Sequence, residues 1–510
     1  MTPIKFGTDG WRAIIAHEFT VDNVARVSEG TAKWLLSPLS SDNRAKDEGW
    51  ERSSGVGGEV AVVLGHDCRF GGELFAETVA KVLVRNGIKV FLAKGFVSTP
   101  MISLGTVKYK ATIGIIITAS HNPAGYNGFK LKGSYGGPLL PEQVGEIEKL
   151  IPEKCTTDFG SVFMSNSLIN IIDLESLYCK HVQKNFDLKA IKRSKMNLAY
   201  DAMYGAGQNA MKRLMPEIIM LHCEQNPSFS GIAPEPIAKN LMEISQLIKN
   251  SSRKKGTKKI YSALATDGDA DRLGFFDSKG NFVDSHHIIL LLIHYLCKYK
   301  KMKGKVVVAF SVTPRLKKMC DHYGLELQVV KIGFKYICGI MIKEDVLLGG
   351  EESGGIAIKG HIPERDGIWI GLTIWEFMAK SGKSLEELIH EVYAITGSFA
   401  FERNDLHLTD EVKNRIIANC KQGKYNSFGK YKVQRMEDLD GWKYYLRKES
   451  GKGSKEKTLQ APDSELQTSD EWFMIRASGT EPVLRTYAES SNQKKAFGIL
   501  NAAKKVLLEQ

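Results

Sequence analysis

The sequence predicts an α/β protein: three similar α/β domains with mixed sheets, plus a smaller C-terminal α+β domain, set around a central cleft. Three observations carry this. At 510 residues the chain exceeds what one hydrophobic core supports, so roughly three or four domains are expected. The order strand, helix, glycine or turn, strand recurs three times. Each recurrence is followed downstream by a loop rich in glycine and in acids or hydroxyls, lying between two apolar strands, as if each domain lent one loop to a shared site.

In chain order, residues 1–30 hold a possible strand, the loop Gly7-Thr8-Asp9-Gly10-Trp11-Arg12 and a helical segment after Thr20. Residues 37–58 turn polar and Gly/Ser-rich, which reads as a surface insertion. The first βαβ unit runs from Val60-Ala61-Val62-Val63-Leu64 through a helix ending near Val84 to Ile88–Leu92. The second opens at Asn197–Asp201 and returns at Ile218–Leu221, and the third opens at Lys305–Ala309 and returns at Leu325–Val330. Beyond Ser398 the pattern changes to Phe399–Arg403, a helix over Asp410–Cys420, short strands and a last helix over Gln493–Leu508. A polar tract over 448–470 reads as a hairpin insertion. The expected domains are 1–188, 189–300, 301–396 and 397–510.

Bulk composition narrows the class. Hydrophobic residues make up 43% and charged residues 25%, as in globular proteins. The N-terminal stretch has no basic region followed by an apolar core, and the longest apolar run, Ile288–Leu296, is too short to span a bilayer. Eight cysteines without a CxxC pair argue against a zinc site and a disulfide framework, so the cytoplasm is the expected compartment. The net charge of +12 raises the question of nucleic acid. Much of the excess lies in the Lys/Ser/Gly-rich stretches 253–259 and 452–457, without interleaved aromatics, so solvated loops and an anionic small substrate are expected instead.

Four loops offer chemistry. Thr118-Ala119-Ser120-His121-Asn122-Pro123 follows the apolar run Ile113–Ile117 and would hold a serine hydroxyl clear of regular structure, within reach of substrate; an Asn-Pro surface turn is the plain alternative. Asp267-Gly268-Asp269-Ala270-Asp271 sets carboxylates at alternate positions, which in an extended loop point one way and call for a divalent cation. An EF-hand is excluded by Arg272 and Ser278 at its sixth and twelfth positions, and magnesium suits a site that shares carboxylates with a phosphate. Gly349-Gly350-Glu351-Glu352-Ser353-Gly354-Gly355 could meet sugar hydroxyls. Arg476, Ser478, Gly479, Thr480 and Arg485 combine guanidinium forks with a backbone nest suited to phosphate. Lys130, ten residues beyond Ser120, could act as acid or base if a dry site eased its deprotonation.

Together TASHNPAGYNGFK, TDGDADR, GGEESGG and RASGTEP resemble, in order, the four signature loops of the alpha-D-phosphohexomutase superfamily, and GTDGWR resembles its N-terminal loop. The resemblance spans essentially the whole chain. It implies a phosphoserine at Ser120, one Mg²⁺ held by Asp267, Asp269, Asp271 and the phosphate on Ser120, sugar hydroxyls on Glu351 and Ser353, and the non-reacting phosphate on Arg476, Ser478, Gly479, Thr480 and Arg485. It also places Arg12, His121, Lys130 and Arg272 around the transferring group, with Lys130 moving the proton, and Lys335 after Gly333-Phe334 as in phosphoglucomutases. Mannose- and glucosamine-type members tend to carry a histidine at the position of Gly355, so that acid-base role is lost here. GEESGG and GFKY favour glucose 1-phosphate and glucose 6-phosphate as substrates, with glucose 1,6-bisphosphate as intermediate and activator. A phosphomannomutase or dual-specificity enzyme is the alternative within the family, and a Mg-dependent phosphatase or a nucleic-acid-binding protein outside it.

Overall fold

The computed structural model describes residues 4–37, 60–162, 164–253, 256–448, 471–477 and 483–509. Both predicted insertions, Lys254 and Lys255 of the first basic stretch, and all of the second lie outside the described residues, apart from Ser37 and the backbone of Lys448. The chain forms two compact units, one comprising Met1–Ala309, Tyr323–Gln328 and Gly333–Glu391, the other Phe310–His322, Val329–Ile332 and Val392–Gln510.

The first unit is built on three mixed sheets, of which only Val329 and Val330, the last two residues of one edge strand, are assigned to the second unit. Strands β1 (Trp11–Ile14), β2 (Ala61–His66), β3 (Lys89–Ala93), β4 (Ile113–Ile117), β5 (Tyr126–Gly133) and β6 (Ile169–Ile172) form a sheet ordered β1-β5-β4-β2-β3-β6. The four strands β6, β3, β2 and β4 run parallel, while β5 returns antiparallel to β4 and carries β1 on its far side. β4 is buried along its whole length, which explains its unbroken apolar sequence. Its Ile113, Ile115 and Ile117 pack with Val62, Leu64 and Phe129 in the core.

The second sheet, β7 (Asn197–Asp201), β8 (Ile219–Leu221), β9 (Ile260–Thr266), β10 (Leu273–Phe276) and β11 (Phe282–Val283), is ordered β11-β10-β9-β7-β8. The third, β12 (Lys305–Ala309), β13 (Leu327–Val330), β14 (Val346–Gly350) and β15 (Ile356–Ile358), is ordered β13-β12-β14-β15. All three share one local plan: a strand pairs parallel with an earlier one, then returns through a loop as an antiparallel partner, at β4–β5, β9–β10 and β14–β15. The three loops singled out by composition are these three returns. A tight return needs glycine or a left-handed residue, so the punctuation visible in the sequence is a direct consequence of the topology.

The second unit carries a six-stranded antiparallel sheet: β16 (Ala400–His407), β17 (Ser427–Phe428), β18 (Tyr431–Glu437), β19 (Trp442–Lys448), β20 (Glu471–Ala477) and β21 (Val483–Ser490), ordered β16-β21-β20-β19-β18-β17. Helices Asp410–Lys421 and Gln493–Glu509 contribute Ile416, Ile499, Leu500 and Leu507 to its core, against Phe428, Leu446, Phe473 and Ile475. This is the expected α+β arrangement, with each helix one residue longer than predicted.

Candidate active site

The serine loop is held from behind by Arg69. Its guanidinium donates to the carbonyls of Ser120 (2.6 Å), Asn122 (2.5 Å), Pro123 (2.9 Å) and Tyr126 (3.1 Å). Asp67 backs Arg69 at 3.4 Å and accepts from Thr118 Oγ1 at 2.5 Å, and Thr118 Oγ1 in turn accepts from the Ser120 amide at 2.9 Å. So braced, Ser120 sits at φ 53°, a left-handed conformation that a non-glycine residue keeps only when its surroundings enforce it. The hydroxyl is clear of regular structure, as expected, but it is not open to solvent: Ser120 is fully buried because the aspartate loop covers it. The cover is close, since a Cβ on Gly268 would stand 2.5 Å from the Ser120 carbonyl oxygen.

That covering loop is a turn, not the extended segment the alternation of carboxylates suggested. Ala270 adopts φ 57°, and convergence of the aspartates comes from this turn rather than from strand alternation. Asp267, Asp269 and Asp271 are all buried, with one ligand atom of each lying within 4.8 Å of the others. Their oxygens divide by role. Asp267 accepts from Ser120 Oγ (2.7 Å) and from the Arg272 amide (3.0 Å). Asp269 Oδ2 accepts from Lys130 (2.7 Å) and Thr99 Oγ1 (2.5 Å), and Asp271 Oδ2 from Lys130 (3.0 Å), with Arg365 at 2.7 Å. Among the described residues Asp269 Oδ1 and Asp271 Oδ1 are buried and accept no hydrogen bond, Arg272 Nε standing 3.8 Å from the latter. Such oxygens are costly unless something else meets them. Burial and repulsion from Asp269 and Asp271 push the Asp267 pKa well above the ordinary range. An all-oxygen carboxylate set with two orphaned buried oxygens fits a hard divalent cation such as Mg²⁺.

Lys130 behaves differently from a lysine poised to lose its proton. Burial works against its charge, but Asp269, Asp271 and Asp9 outweigh burial and raise its pKa above that of an ordinary lysine. With Asp9 at 2.9 Å it has three carboxylate partners, so it is a fixed cation. Arg12, on β1, donates to Asn122 Oδ1 at 2.9 Å. Burial lowers its pKa, and Arg272 adds to the lowering against the pull of Asp9. Two guanidiniums that repel in this way favour the binding of an anion. His121 Nδ1 lies 3.4 Å from Ser120 Oγ.

Glu351, at the mouth of the β14–β15 return, is buried and accepts from the Gly333 amide at 3.0 Å. Burial pushes its pKa up to about 7, against the opposing charges of Arg365 and Arg272. Ser353 is half-buried in the same turn. Lys335, in the first turn of helix Phe334–Met341, donates to the Gly7 carbonyl at 3.4 Å. In the second unit, Arg476 on β20 and Arg485 on β21 are direct cross-strand partners, so they share one face; among the described residues the Nε of each is buried without a hydrogen-bond acceptor, and Arg476 has Asp440 at 3.8 Å. Like charges directly opposed are unfavourable unless an anion bridges them. Ser478, Gly479 and Thr480 lie outside the described residues.

The site also contains residues that the sequence reading gave no role. Arg365, Asp9 and Thr99 touch the aspartates or Lys130, while Asp67 and Arg69 set the serine loop. Asp9 lay inside a quoted motif; Thr99 and Arg365 carried no local signal, because their partners Asp269 and Asp271 are 170 and 94 positions away.

Comparison with known proteins accords with this geometry. Family models described as phosphoglucomutase/phosphomannomutase match as alpha/beta/alpha domain I over residues 3–157, domain II over 176–280, domain III over 284–395 and the C-terminal domain over 459–503. A phosphoglucomutase/phosphomannomutase of Thermococcus kodakarensis is 26% identical over 509 residues, 99% of this chain and 98% of the relative. A phosphoglucosamine/phosphogalactosamine mutase of Sulfurisphaera tokodaii is 27% identical over 513 residues, 98% of each chain. A solved protein of Thermus thermophilus, provisionally assigned as a phosphomannomutase, superposes with a TM-score of 0.78 at 30% identity, covering 99% of both chains.

Proposed function

The chain belongs to the phosphoglucomutase/phosphomannomutase family, within the alpha-D-phosphohexomutase superfamily, and we propose that as a phosphomutase it interconverts glucose 1-phosphate and glucose 6-phosphate through a phosphoserine at residue 120. The observation that carries this reading is the 2.7 Å hydrogen bond from Ser120 Oγ to Asp267, beside two buried aspartate oxygens that accept no hydrogen bond among the described residues.

In the proposed reaction the Ser120 O–P bond breaks as a bond forms between that phosphorus and the free hydroxyl of the sugar monophosphate; the hydroxyl gives up a proton and the departing Ser120 Oγ takes one up. The product is glucose 1,6-bisphosphate; after it turns over, its other phosphoryl returns to Ser120. Mg²⁺ on Asp267, Asp269, Asp271 and the serine phosphate would supply charge neutralisation for the transferring group. Lys130, kept protonated by its three carboxylates, holds Asp269 and Asp271 in place and adds fixed positive charge. Arg12 and Arg272 are suited to the equatorial oxygens of the phosphoryl. Glu351, with a pKa of about 7, is suited to accept the proton released by the attacking hydroxyl. Arg476 and Arg485, one opposed pair of the second unit, are by themselves suited to bind a phosphate.

A second reading, phosphoglucosamine or phosphomannose conversion, draws on the names of the relatives above. The deciding experiment follows glucose, mannose and glucosamine 1-phosphates by phosphorus NMR with the matching bisphosphate present. Fastest conversion of glucose 1-phosphate supports the proposal, and equal rates for glucose and mannose establish dual specificity. Fastest conversion of glucosamine 1-phosphate selects the second reading. Stoichiometric release of inorganic phosphate would make the protein a phosphatase.

A further inference from the structure

Gly354 and Gly355 are glycines for different reasons. Gly354 has φ +91°, a backbone that other residues rarely adopt. Gly355 lies outside that region, so its backbone would accept a side chain. What forbids one is Arg365: a Cβ at position 355 would stand 2.5 Å from Arg365 Cδ and 3.1 Å from its Cγ. These are the stem atoms of a buried arginine that cannot swing aside. Its guanidinium is ion-paired with Asp9, lies 2.7 Å from Asp271 Oδ2 and 3.9 Å from Glu351 Oε2, and stacks over the Phe334 ring at 5.4 Å.

These contacts join two loops. Asp271 belongs to the aspartate turn and Glu351 to the β14–β15 return, and the backbones of the two loops already meet at an Arg272–Gly355 bridge and a hydrogen bond from the Leu273 amide to the Gly354 carbonyl (3.3 Å). By holding Asp271 Oδ2, Arg365 fixes the carboxylate whose other oxygen, Oδ1, accepts no hydrogen bond among the described residues and has Arg272 Nε at 3.8 Å. We infer that Arg365 is a positioning residue that locks the metal-binding turn and the sugar-binding turn into one geometry, and that position 355 is glycine because the stem of Arg365 needs its space. The inference rests on the function proposed above in assigning metal and sugar to these two turns. It accounts for the missing side chain at 355: an arginine from a different segment fills the volume.

The test uses two variants that disturb the contact in unlike ways. R365K keeps the charge but replaces the planar fork with one ammonium. G355A removes no charge and presses one methyl against the Arg365 stem. Calorimetric titration with Mg²⁺ and a separation of KM from kcat for glucose 1-phosphate are made on folded protein, checked by circular dichroism and cooperative unfolding. Both variants are expected to bind Mg²⁺ about tenfold more weakly, in the range seen when a partner behind a metal ligand is lost, and to raise KM together with that change. The double variant is expected to fall short of the product of the single effects, because a lysine keeps Cγ and Cδ but, without the fork's anchors, can shift them away from the added methyl. Wild-type metal affinity and KM in G355A, or strictly multiplicative effects in the double variant, would overturn the inference. If R365K does not fold, G355A decides alone. An inactive wild type would instead remove the proposed function, while active wild type with unaltered variants removes only this inference.

Discussion

Ser120 Oγ donates to Asp267 Oδ2 at 2.7 Å, although the two residues are 147 positions apart and sit on returns of two different sheets. The contact brings the proposed phosphoryl carrier directly onto the candidate metal set. Replacing the serine (Ser120→Ala) should abolish mutase turnover while leaving the fold and sugar-phosphate binding largely intact. Because Ser120 occupies a left-handed conformation, alanine costs little more there than serine does. Turnover, calorimetric binding of glucose 6-phosphate, and mass spectrometry for phosphate on the peptide containing residue 120 check this together; a near-normal rate in the variant would contradict the assignment.

Asp267 gives a second expectation. Burial and its two aspartate neighbours disfavour its charge when no cation is present, so an asparagine resembles the form it adopts then. Asp267→Asn should therefore leave metal-free stability unchanged or slightly improved. Wild type should gain about 2.7 kcal/mol when Mg²⁺ stands at about a hundred times its Kd, and the variant should lose most of that gain. Denaturant unfolding with EDTA and with Mg²⁺ makes the comparison.

Arg69 braces the back of the serine loop through four carbonyl acceptors. Removing it (Arg69→Met) should misplace Ser120 without altering the other loops. Asp67, which burial already pushes to about 6, can take a proton once its partner is gone, so the fold should survive. A displacement near 1 Å at a reacting atom costs on the order of 100-fold, so kcat should fall by about that factor with KM nearly unchanged. Steady-state kinetics separate the two, and a change confined to KM would show that Arg69 acts elsewhere.

Much of this site was legible because each loop announces itself locally. Apolar strand, glycine-rich return and apolar strand is a pattern within about twenty residues of chain, and the three returns lie where composition put them. The aspartate triplet was legible too, though not its shape, since Ala270 bends what looked extended. Arg365 was not legible. Its partners Asp9, Asp271 and Glu351 come from separate segments, and nothing in HIPERDG distinguishes a buried arginine from a solvated one. The surroundings of Lys130 were not legible for the same reason: a dry site lowers a lysine pKa only where no carboxylates share it, and its three come from distant segments.

Glu351 makes stability depend on pH in a direction opposite to that of an ordinary ion-paired carboxylate. Its pKa rises from 4.5 in an unperturbed glutamate to about 7 in the folded chain, because burial penalises its charge more than Arg365 and Arg272 favour it. Between those values the native state binds the proton that the unfolded chain has already released, so stability falls as pH rises. The contribution is fully present below about pH 4.5 and is lost by about pH 8, a loss of about 3 kcal/mol at about 1.36 kcal/mol per pKa unit. Glu351→Gln cannot ionise and should show none of it. Unfolding free energies of wild type and variant across that range, subtracted pair by pair, remove the titration of every other group. A difference that grows with pH in favour of the glutamine variant supports the raised pKa, while a constant difference would show that Glu351 ionises as an ordinary glutamate and could not hold a proton near neutrality.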